Sequence, residues 1–336
     1  MNEVSRLVWV LVPMLVGVLA LDARAAAGET RIATWKYDRQ AAFLLMFDDS
    51  EPTHLSNAIP ELEKRELIGT FYLNPGAKWY DAKGWEKVAA NTRMVLANHS
   101  MHHSGATNNA VAEAELGDCQ EVLHQLYPGR KSPRLISLSY PGGSPWTISE
   151  ADKAAMLKKF HLVVRPPANG RPPLNGQPPE GGHVGGVHLK TGAEMAAVVD
   201  RALANRNMDY VTFHGIGGDW LKVSMEDYIQ LLDAVAAKRD QLWVTDPVSV
   251  HKYEAERNQA TVQVLENGPV IIRLALRALN DPLYDEPLTL ITPVPADWKT
   301  CSVAQGDRRV TVAVEQGAIR YEALPDGPEI VVQSVP

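Results

Sequence analysis

Seven short apolar runs, separated by amphipathic helical patterns, fill most of the chain between residues 41 and 245. The runs have the length of β-strands and lie at residues 41–47, 70–73, 94–97, 135–139, 161–164, 210–213 and 242–245. Between them, apolar residues recur at helical spacing over 55–65, 111–126, 149–159, 194–203 and 225–238. This alternation predicts an α/β fold, with a parallel sheet and helices outside it. Periodicity alone leaves open whether the seven units close into an incomplete barrel or form an open, doubly wound sheet.

The pattern changes after residue 256. Apolar runs at 261–265, 270–276, 288–291, 309–314 and 330–332 are separated by turn-forming pairs such as Asn267-Gly268. We therefore predict a main α/β domain over residues 28–258 and a small all-β domain over 259–336. The simplest role of the second domain is to cap the first, and sugar binding is the alternative.

The N-terminus predicts export from the cytoplasm. Arg6 precedes an uncharged, mostly apolar stretch over residues 7–21, which is followed by Ala23-Arg24-Ala25, so residues 1–27 have the layout of a signal peptide. An uncleaved membrane anchor is the alternative, although the run is shorter than the roughly 20 residues that a spanning helix needs. We expect a secreted or periplasmic protein with no stable membrane span after cleavage.

Composition excludes several classes of protein. With 33 Lys and Arg against 40 Asp and Glu, the net charge is −7, and no basic run is present that would favour nucleic acid as a partner. The two cysteines, Cys119 and Cys301, cannot form a disulfide framework or a cysteine zinc site. Two unpaired buried thiols are expected, with one long-range bridge as the alternative. A proline- and glycine-rich repeat of six residues over 165–182 predicts a mobile surface loop.

Polar residues that could take part in catalysis or ligand binding follow three of the predicted strands. Asp48 and Asp49 follow the first strand, residues 99–103 follow the third, and His214 follows the sixth. The carboxyl ends of parallel strands share one edge, where ligands and catalytic groups gather. An aspartate pair or a single histidine at a strand end is weak evidence alone, but the set predicts a site at this edge.

The histidine spacing indicates a metal. His99 and His103, four residues apart, fall on one face of a helical turn and can direct two imidazoles at one ion, with His102 as a rival ligand. Zinc accepts imidazole nitrogen and carboxylate oxygen, and Asp49 as third ligand would leave a position open for water. A histidine-rich turn without a metal is the alternative.

Four segments together resemble the ordered motifs of the polysaccharide deacetylase family, carbohydrate esterase family four. They are residues 45–50, His99-Ser100-x-x-His103, residues 139–143 and residues 212–215, and the similarity extends from about Trp35 to Ala260. The resemblance implies a distorted (β/α)7-type barrel of parallel strands. It also implies a divalent metal and the hydrolysis of acetyl groups from a polysaccharide or oligosaccharide.

The resemblance also implies roles for individual residues. Asp48 would be the general base and His214 the general acid, and Asp49 would bind the metal with His99 and His103. Zinc is the expected ion, with cobalt, nickel or manganese as alternatives.

Further residues come from the family's third motif. Within Tyr140, Pro141 and Gly142, the Gly142 N–H, or less favourably that of Tyr140, would help to hold the oxyanion. Trp146 would offer a platform for sugar stacking, with a packed loop tryptophan as the alternative.

The chain departs from the family where positive charge is expected. Ser139 stands at the position of the family's third-motif arginine, and the Asp-Trp pair of the fourth motif is not visible. Arg165 could supply the missing charge beside Asp48, or be a solvated loop arginine. Asp219-Trp220, after the His214 strand, could face the cleft.

The sequence is also compatible with two other functions. The first is a carbohydrate-binding protein on a catalytically decayed deacetylase scaffold, and the second is a metal-dependent hydrolase of a small cyclic amide. The combined presence of Asp48, Asp49, His99, His103 and His214 favours an enzyme, because no structural need brings this set to one edge.

Overall fold

A computed structural model describes residues 26–165 and 189–335 of the chain. The predicted signal sequence up to residue 25 lies outside the described residues, as does the Pro-Gly repeat from residue 166 onward.

The described residues contain strands throughout and helices up to residue 259. The strands are β1 (Arg31–Ile32), β2 (Ala41–Phe47), β3 (Gly69–Leu73), β4 (Met94–Asn98), β5 (Ile136–Leu138), β6 (Leu162–Val164), β7 (Met208–Phe213), β8 (Leu242–Thr245), β9 (Thr261–Asn267), β10 (Ile271–Arg277), β11 (Leu288–Pro293), β12 (Thr300–Gln305), β13 (Arg308–Ala313), β14 (Ala318–Ala323) and β15 (Ile330–Val335). The α-helices are α1 (Ile59–Lys64), α2 (Ala82–Ala89), α3 (Asn109–Gln125), α4 (Glu150–Lys159), α5 (Gly192–Ala204), α6 (Met225–Ala237) and α7 (Pro247–Gln259). A 3-10 turn (Lys36–Asp38) precedes β2, and a π-helix (His54–Ala58) precedes α1.

Seven parallel strands form the main sheet. Their order is β6-β5-β4-β3-β2-β7, and β8 also pairs with β2. All seven residues of β2 are buried, which explains its continuous apolar sequence. At the carboxyl end of this strand, Phe47 is in register with Phe71 of β3 and with Phe213 of β7. The sheet curls into part of a barrel with helices around it, which confirms the predicted distorted barrel.

The two faces of this sheet belong to different hydrophobic clusters. Alternate residues of β2 point to opposite sides of the sheet. Phe43, Leu45 and Phe47 pack in a cluster with residues of the surrounding helices. The cluster on the other face combines residues of the parallel sheet with residues of the C-terminal strands, among them Ala42, Leu44, Met46, Tyr210, Trp243, Ile272, Leu274, Leu290 and Val332. The C-terminal strands therefore share a core with the parallel sheet.

The C-terminal part consists of antiparallel strands, as the sequence predicts. A five-stranded sheet has the order β13-β12-β15-β10-β9, and a three-stranded sheet has the order β1-β11-β14. The strand β1 comes from the start of the described chain, where Arg31 pairs with Ile291. Helix α7 ends at Gln259 and β9 begins at Thr261, so the change from α/β to all-β structure falls at residue 260.

Two further sequence-based expectations can be compared with the described residues. Cys119 and Cys301 are both buried and free, as predicted. Within residues 26–165 and 189–335, no helix has the length and apolarity that crossing a membrane requires.

Candidate metal centre

Three predicted metal ligands meet at the carboxyl edge of the parallel sheet. Asp49 follows β2, and His99 and His103 follow β4. The Asp49 Oδ1 atom lies 3.2 Å from Nε2 of His99 and 3.2 Å from Nε2 of His103. The three potential ligand atoms all lie within 4.8 Å of one another. His103, and not its neighbour His102, is the second histidine of this group.

The orientation of His99 is fixed by the loop after β5. Its Nδ1 atom lies 2.8 Å from the backbone oxygen of Ser139. Because a carbonyl oxygen only accepts, Nδ1 donates to it, and Nε2, which would carry the lone pair when the ring binds a metal, faces Asp49. A metal-binding imidazole needs this tautomer, and such a backbone contact commonly fixes it.

The state of Asp49 fits a bound cation. Burial would raise the pKa of this carboxyl, but the contacts with His103 and His99 outweigh burial and hold the pKa far below its usual range. Among the described residues, none makes a well-aligned hydrogen bond to the buried Oδ1 atom. The site therefore offers two imidazoles and one ionised carboxylate, whose Oδ1 atom lacks a well-aligned hydrogen bond from the described residues. This donor set suits zinc and leaves one coordination position open.

The backbone at the ligands is strained. Asp49 has a φ of 76° and His103 a φ of 58°, in the left-handed region that residues other than glycine rarely adopt. Each such residue costs on the order of 1 kcal/mol or more and persists only where the surroundings enforce it. Two of the three candidate metal ligands therefore adopt a backbone conformation that residues other than glycine rarely take.

Asp48, next to the metal ligand, is paired with Arg165. Arg165 Nη1 lies 2.7 Å from Asp48 Oδ1, and Nη2 lies 2.9 Å from Oδ2. Burial alone would raise the pKa of Asp48, but the Arg165 guanidinium, together with His99 and His214, outweighs burial and lowers it. Arg165 follows β6. It provides Asp48 with a guanidinium partner, although Ser139 stands at the position of the family's third-motif arginine.

His214 follows β7 and faces the same point. Its Nε2 atom lies 3.7 Å from Asp49 Oδ2, and the Trp220 ring meets its ring edge-on at 4.9 Å. Behind it, the buried His54 has Nε2 2.7 Å from the backbone oxygen of His214. Burial lowers the pKa of His54 to about 4, so His54 is neutral and donates a hydrogen bond from Nε2 to that carbonyl.

The π-helix that contains His54 also anchors the loop after His214. Thr53, just before it, accepts a hydrogen bond from Ile216 N at Oγ1, over 3.0 Å, and donates its own N–H to Asp219 Oδ2, over 2.8 Å. Asn57 donates to the Ile216 carbonyl over 2.7 Å. π-Helical turns are frequent at functional sites, and here the turn fixes the loop that carries His214 and Trp220.

A cleft of about 540 Å³ opens beside the metal ligands. Residues that line it include Asp49, Glu51, Trp79, His102 and Trp220. The Trp79 side chain is 43% exposed and that of Trp220 is 59% exposed, while Trp79 Nε1 donates to the backbone oxygen of Asp49 over 2.9 Å. Sequence analysis missed Glu51 and Trp79. Their only sequence signal is that each follows the carboxyl end of a predicted strand.

The residues predicted from the third motif occupy the loop after β5. The rings of Tyr140 and Trp146 meet edge-on at 4.9 Å and are partly buried against the helical core cluster, Pro141 is buried, and Gly142 is exposed. None of these four residues is among the described residues that line the cleft beside Asp49. Their substrate roles stay predictions.

Comparison with known proteins gives one family match. Residues 36–161 match the sequence model of the polysaccharide deacetylase family. No curated protein matches the chain significantly.

Solved structures with similarity to the chain have low sequence identity. The family 4 carbohydrate esterase from Streptomyces lividans, in complex with acetate, is 15% identical over 62% of this chain and 93% of its own, with a TM-score of 0.38. The peptidoglycan deacetylase PdaC from Bacillus subtilis is 14% identical over 59% of this chain and 85% of its own, with a TM-score of 0.38. BA3943 from Bacillus anthracis, a family 4 pseudoenzyme, is 12% identical over 60% of this chain and 63% of its own, with a TM-score of 0.40. The match of residues 36–161 to the family's sequence model confirms the resemblance of this chain to the polysaccharide deacetylase family.

Proposed function

We propose that this protein is a metal-dependent hydrolase that removes acetyl groups from an acetylated polysaccharide or oligosaccharide. The observation that carries the proposal is the convergence of Asp49, His99 and His103 on one point, with Asp48 and His214 beside it. A divalent ion held by these three ligands, with zinc favoured by the donor set and cobalt, nickel or manganese as alternatives, would supply Lewis-acid activation of water and of the acetyl carbonyl.

Asp48 is positioned to act as the general base. It is ionised, because the Arg165 guanidinium lowers its pKa, and both of its oxygens are held by that guanidinium. A positioned carboxylate that accepts a proton from the attacking water typically contributes about 10²- to 10⁴-fold to the rate. Arg165 acts through Asp48, as a positioning residue.

His214 is positioned to donate a proton to the leaving amine or alcohol. Its side chain is largely buried beside Asp49, and the bond from His54 to its carbonyl oxygen fixes its backbone. The exposed Gly142 N–H is proposed as a hydrogen-bond donor to the oxyanion, in a position where charge develops in the transition state.

The Arg165 contact bears on the decayed-scaffold alternative. The missing third-motif arginine favours loss of catalysis, but a guanidinium reaches Asp48 from the end of β6 instead. Asp48, the proposed base, is therefore ionised and paired with a guanidinium. This pairing favours an active enzyme over the decayed scaffold.

The proposal is tested by acetate release. The purified mature protein is incubated with N-acetylated chitin oligomers, peptidoglycan fragments and acetylated xylan, before and after chelation and after metal is restored. We expect release from at least one glycan that is lost on chelation and regained with zinc or cobalt. Oligosaccharide binding without any acetate release would favour the decayed scaffold. Ring opening of a small cyclic amide, without acetate release from any glycan, would favour the other alternative.

Export is a separate part of the proposal. We propose that the signal peptide is removed and that the mature N-terminus lies near Ala26 or Gly28, because residues 7–21 have the composition of a signal-peptide core. Mass spectrometry of secreted or periplasmic material should show the new N-terminus. An intact Met1 would instead indicate a membrane anchor.

A further inference from the structure

His102 lies between His99 and His103 in the sequence but makes different contacts. Its Nδ1 atom lies 2.9 Å from Oε1 of Glu115, and its backbone N–H donates to Oε2 of the same carboxylate over 2.9 Å. Glu115 is a buried residue of α3, and its backbone oxygen accepts from Met101 N over 2.8 Å. One buried glutamate therefore orients both the ring of His102 and the turn that carries it.

Gly76 packs against the other edge of the ring, in space that a side chain would fill. A Cβ atom on Gly76 would lie 2.3 Å from Cδ2 and 2.8 Å from Nε2 of His102, and 2.8 Å from the backbone oxygen of Met101. Because Nδ1 is engaged by the Glu115 carboxylate, Nε2 is the ring nitrogen left for a ligand. No described residue bonds to that Nε2 atom, and the His102 side chain is 57% exposed.

The ring faces the cleft beside the metal ligands. His102 lines this cleft together with Trp79 and Trp220, whose rings are both exposed, and with the polar side chains of Glu51 and Lys78. Exposed aromatic faces flanked by a few fixed hydrogen-bonding groups are typical of ligand sites. A pyranose ring has this complementary character, with apolar C–H faces and a rim of hydroxyl groups.

We propose that His102 is a specificity-determining residue, whose Nε2 forms a hydrogen bond with a ring hydroxyl of a sugar unit bound in this cleft. Glu115 is its positioning residue, because its contact with Nδ1 fixes the direction of Nε2. The inference rests on the proposed function and adds to it a glycan contact outside the metal ligands. It requires a substrate with a sugar unit in the cleft, as an oligosaccharide or polysaccharide provides.

The test uses a double-mutant cycle on the full-length mature protein. The variants are His102→Ala, Glu115→Gln and the double variant, and His124→Ala, on the same helix as Glu115 but outside the cleft, is the control. The substrate is the glycan of the panel that releases most acetate. In His102→Ala, Glu115 still accepts from the backbone N–H of residue 102, so the turn keeps its anchor.

We expect His102→Ala to raise KM about 3- to 10-fold, the value of one typical hydrogen bond, with a smaller change in kcat and with the metal content retained. Glu115→Gln should also raise KM, because an amide cannot accept from both N–H groups. The double variant should have the KM of His102→Ala, because Glu115 acts through His102.

Two results would overturn the inference. One is an unchanged KM in His102→Ala, and the other is loss of the metal from that variant, which would make His102 part of the support of the turn. Calorimetric titration of metal-free protein with the panel glycans separates this inference from the proposed function. Binding weakened by His102→Ala, without acetate release from any glycan, would support the glycan contact while the hydrolase proposal fails. Neither release nor binding in the parent protein would overturn both.

Discussion

Arg165 holds both carboxylate oxygens of Asp48, at 2.7 Å and 2.9 Å, although the two residues are 117 positions apart in the sequence. The pair connects the end of β6 with the end of β2, strands that are not neighbours in the sheet. The curl of the sheet therefore brings a guanidinium to the proposed base from a strand different from the one that the family motif uses.

Arg165→Lys should lower kcat about 10- to 100-fold and leave the metal content unchanged. Lysine keeps the charge but cannot bond to both oxygens, so Asp48 loses its fixed orientation. Arg165→Ala should in addition lower the free energy of unfolding by about 3 kcal/mol, because a buried carboxylate is left without its partner. Steady-state kinetics and denaturant unfolding measure the two effects. Arg39→Lys, on a surface arginine near Asp240, is the control, and an equal loss of kcat there would contradict the assigned role.

Asp48→Asn and Asp49→Ala should differ in kind. Asp48→Asn is nearly isosteric and should keep the metal, while kcat falls about 10²- to 10⁴-fold because the amide cannot take a proton. Asp49→Ala should lose metal affinity, because two imidazoles alone lack the compensating negative charge. Metal analysis and kinetics on both variants check this, and the opposite pattern would reverse the two roles.

His54→Phe should lower kcat about tenfold without loss of metal. Phenylalanine can occupy the apolar space beside Phe47 and Phe71, but it leaves the His214 carbonyl without its donor. The free energy of unfolding should fall by about 1–3 kcal/mol, the cost of an unsatisfied buried acceptor. His54→Gln, which retains a donor, should recover part of both losses. Parent-like kcat in His54→Phe would show that this bond does not position His214.

Glu256→Gln should stabilise the protein at alkaline pH. Burial, together with the Glu286 and Asp285 carboxylates, raises the pKa of Glu256 to about 7. The folded state therefore binds a proton more tightly than the unfolded state, and stability is lost as the pH rises from about 4.5 to about 7, then stays constant for this group.

The measurement for Glu256 is the melting temperature of parent and variant between pH 4.5 and 8.5. The variant's advantage should grow up to about pH 7 and reach roughly 2–4 °C, which corresponds to about 1 kcal/mol in a chain of this size. An advantage that is the same at every pH would show that the charge of Glu256 is not its cause.

The strands of the parallel sheet could be predicted because burial on both faces leaves a continuous apolar run, as in β2. The sequence missed β12 and β14, which bury alternate residues on one face and so give short, weak patterns. The pairing of β1 with β11 joins residues far apart in the chain, and local patterns carry no information about it.

The site could be predicted where its residues follow strand ends, because parallel strands place those ends at one edge. The choice between a solvated Arg165 and one paired with Asp48 depends on the curl of the sheet, which periodicity does not specify. The Glu115 contact with His102 depends on how α3 folds back over the turn after β4. Such contacts are set by tertiary packing and have no short-range signal.

The central claim is that the ion at Asp49, His99 and His103 is required for acetate release. The direct test is a titration in which metal-free protein receives zinc or cobalt in steps while acetate release from the best panel glycan is measured. We predict that activity rises from background and saturates at about one ion per chain. Full activity without metal, or one ion bound per chain without any acetate release, would contradict the claim.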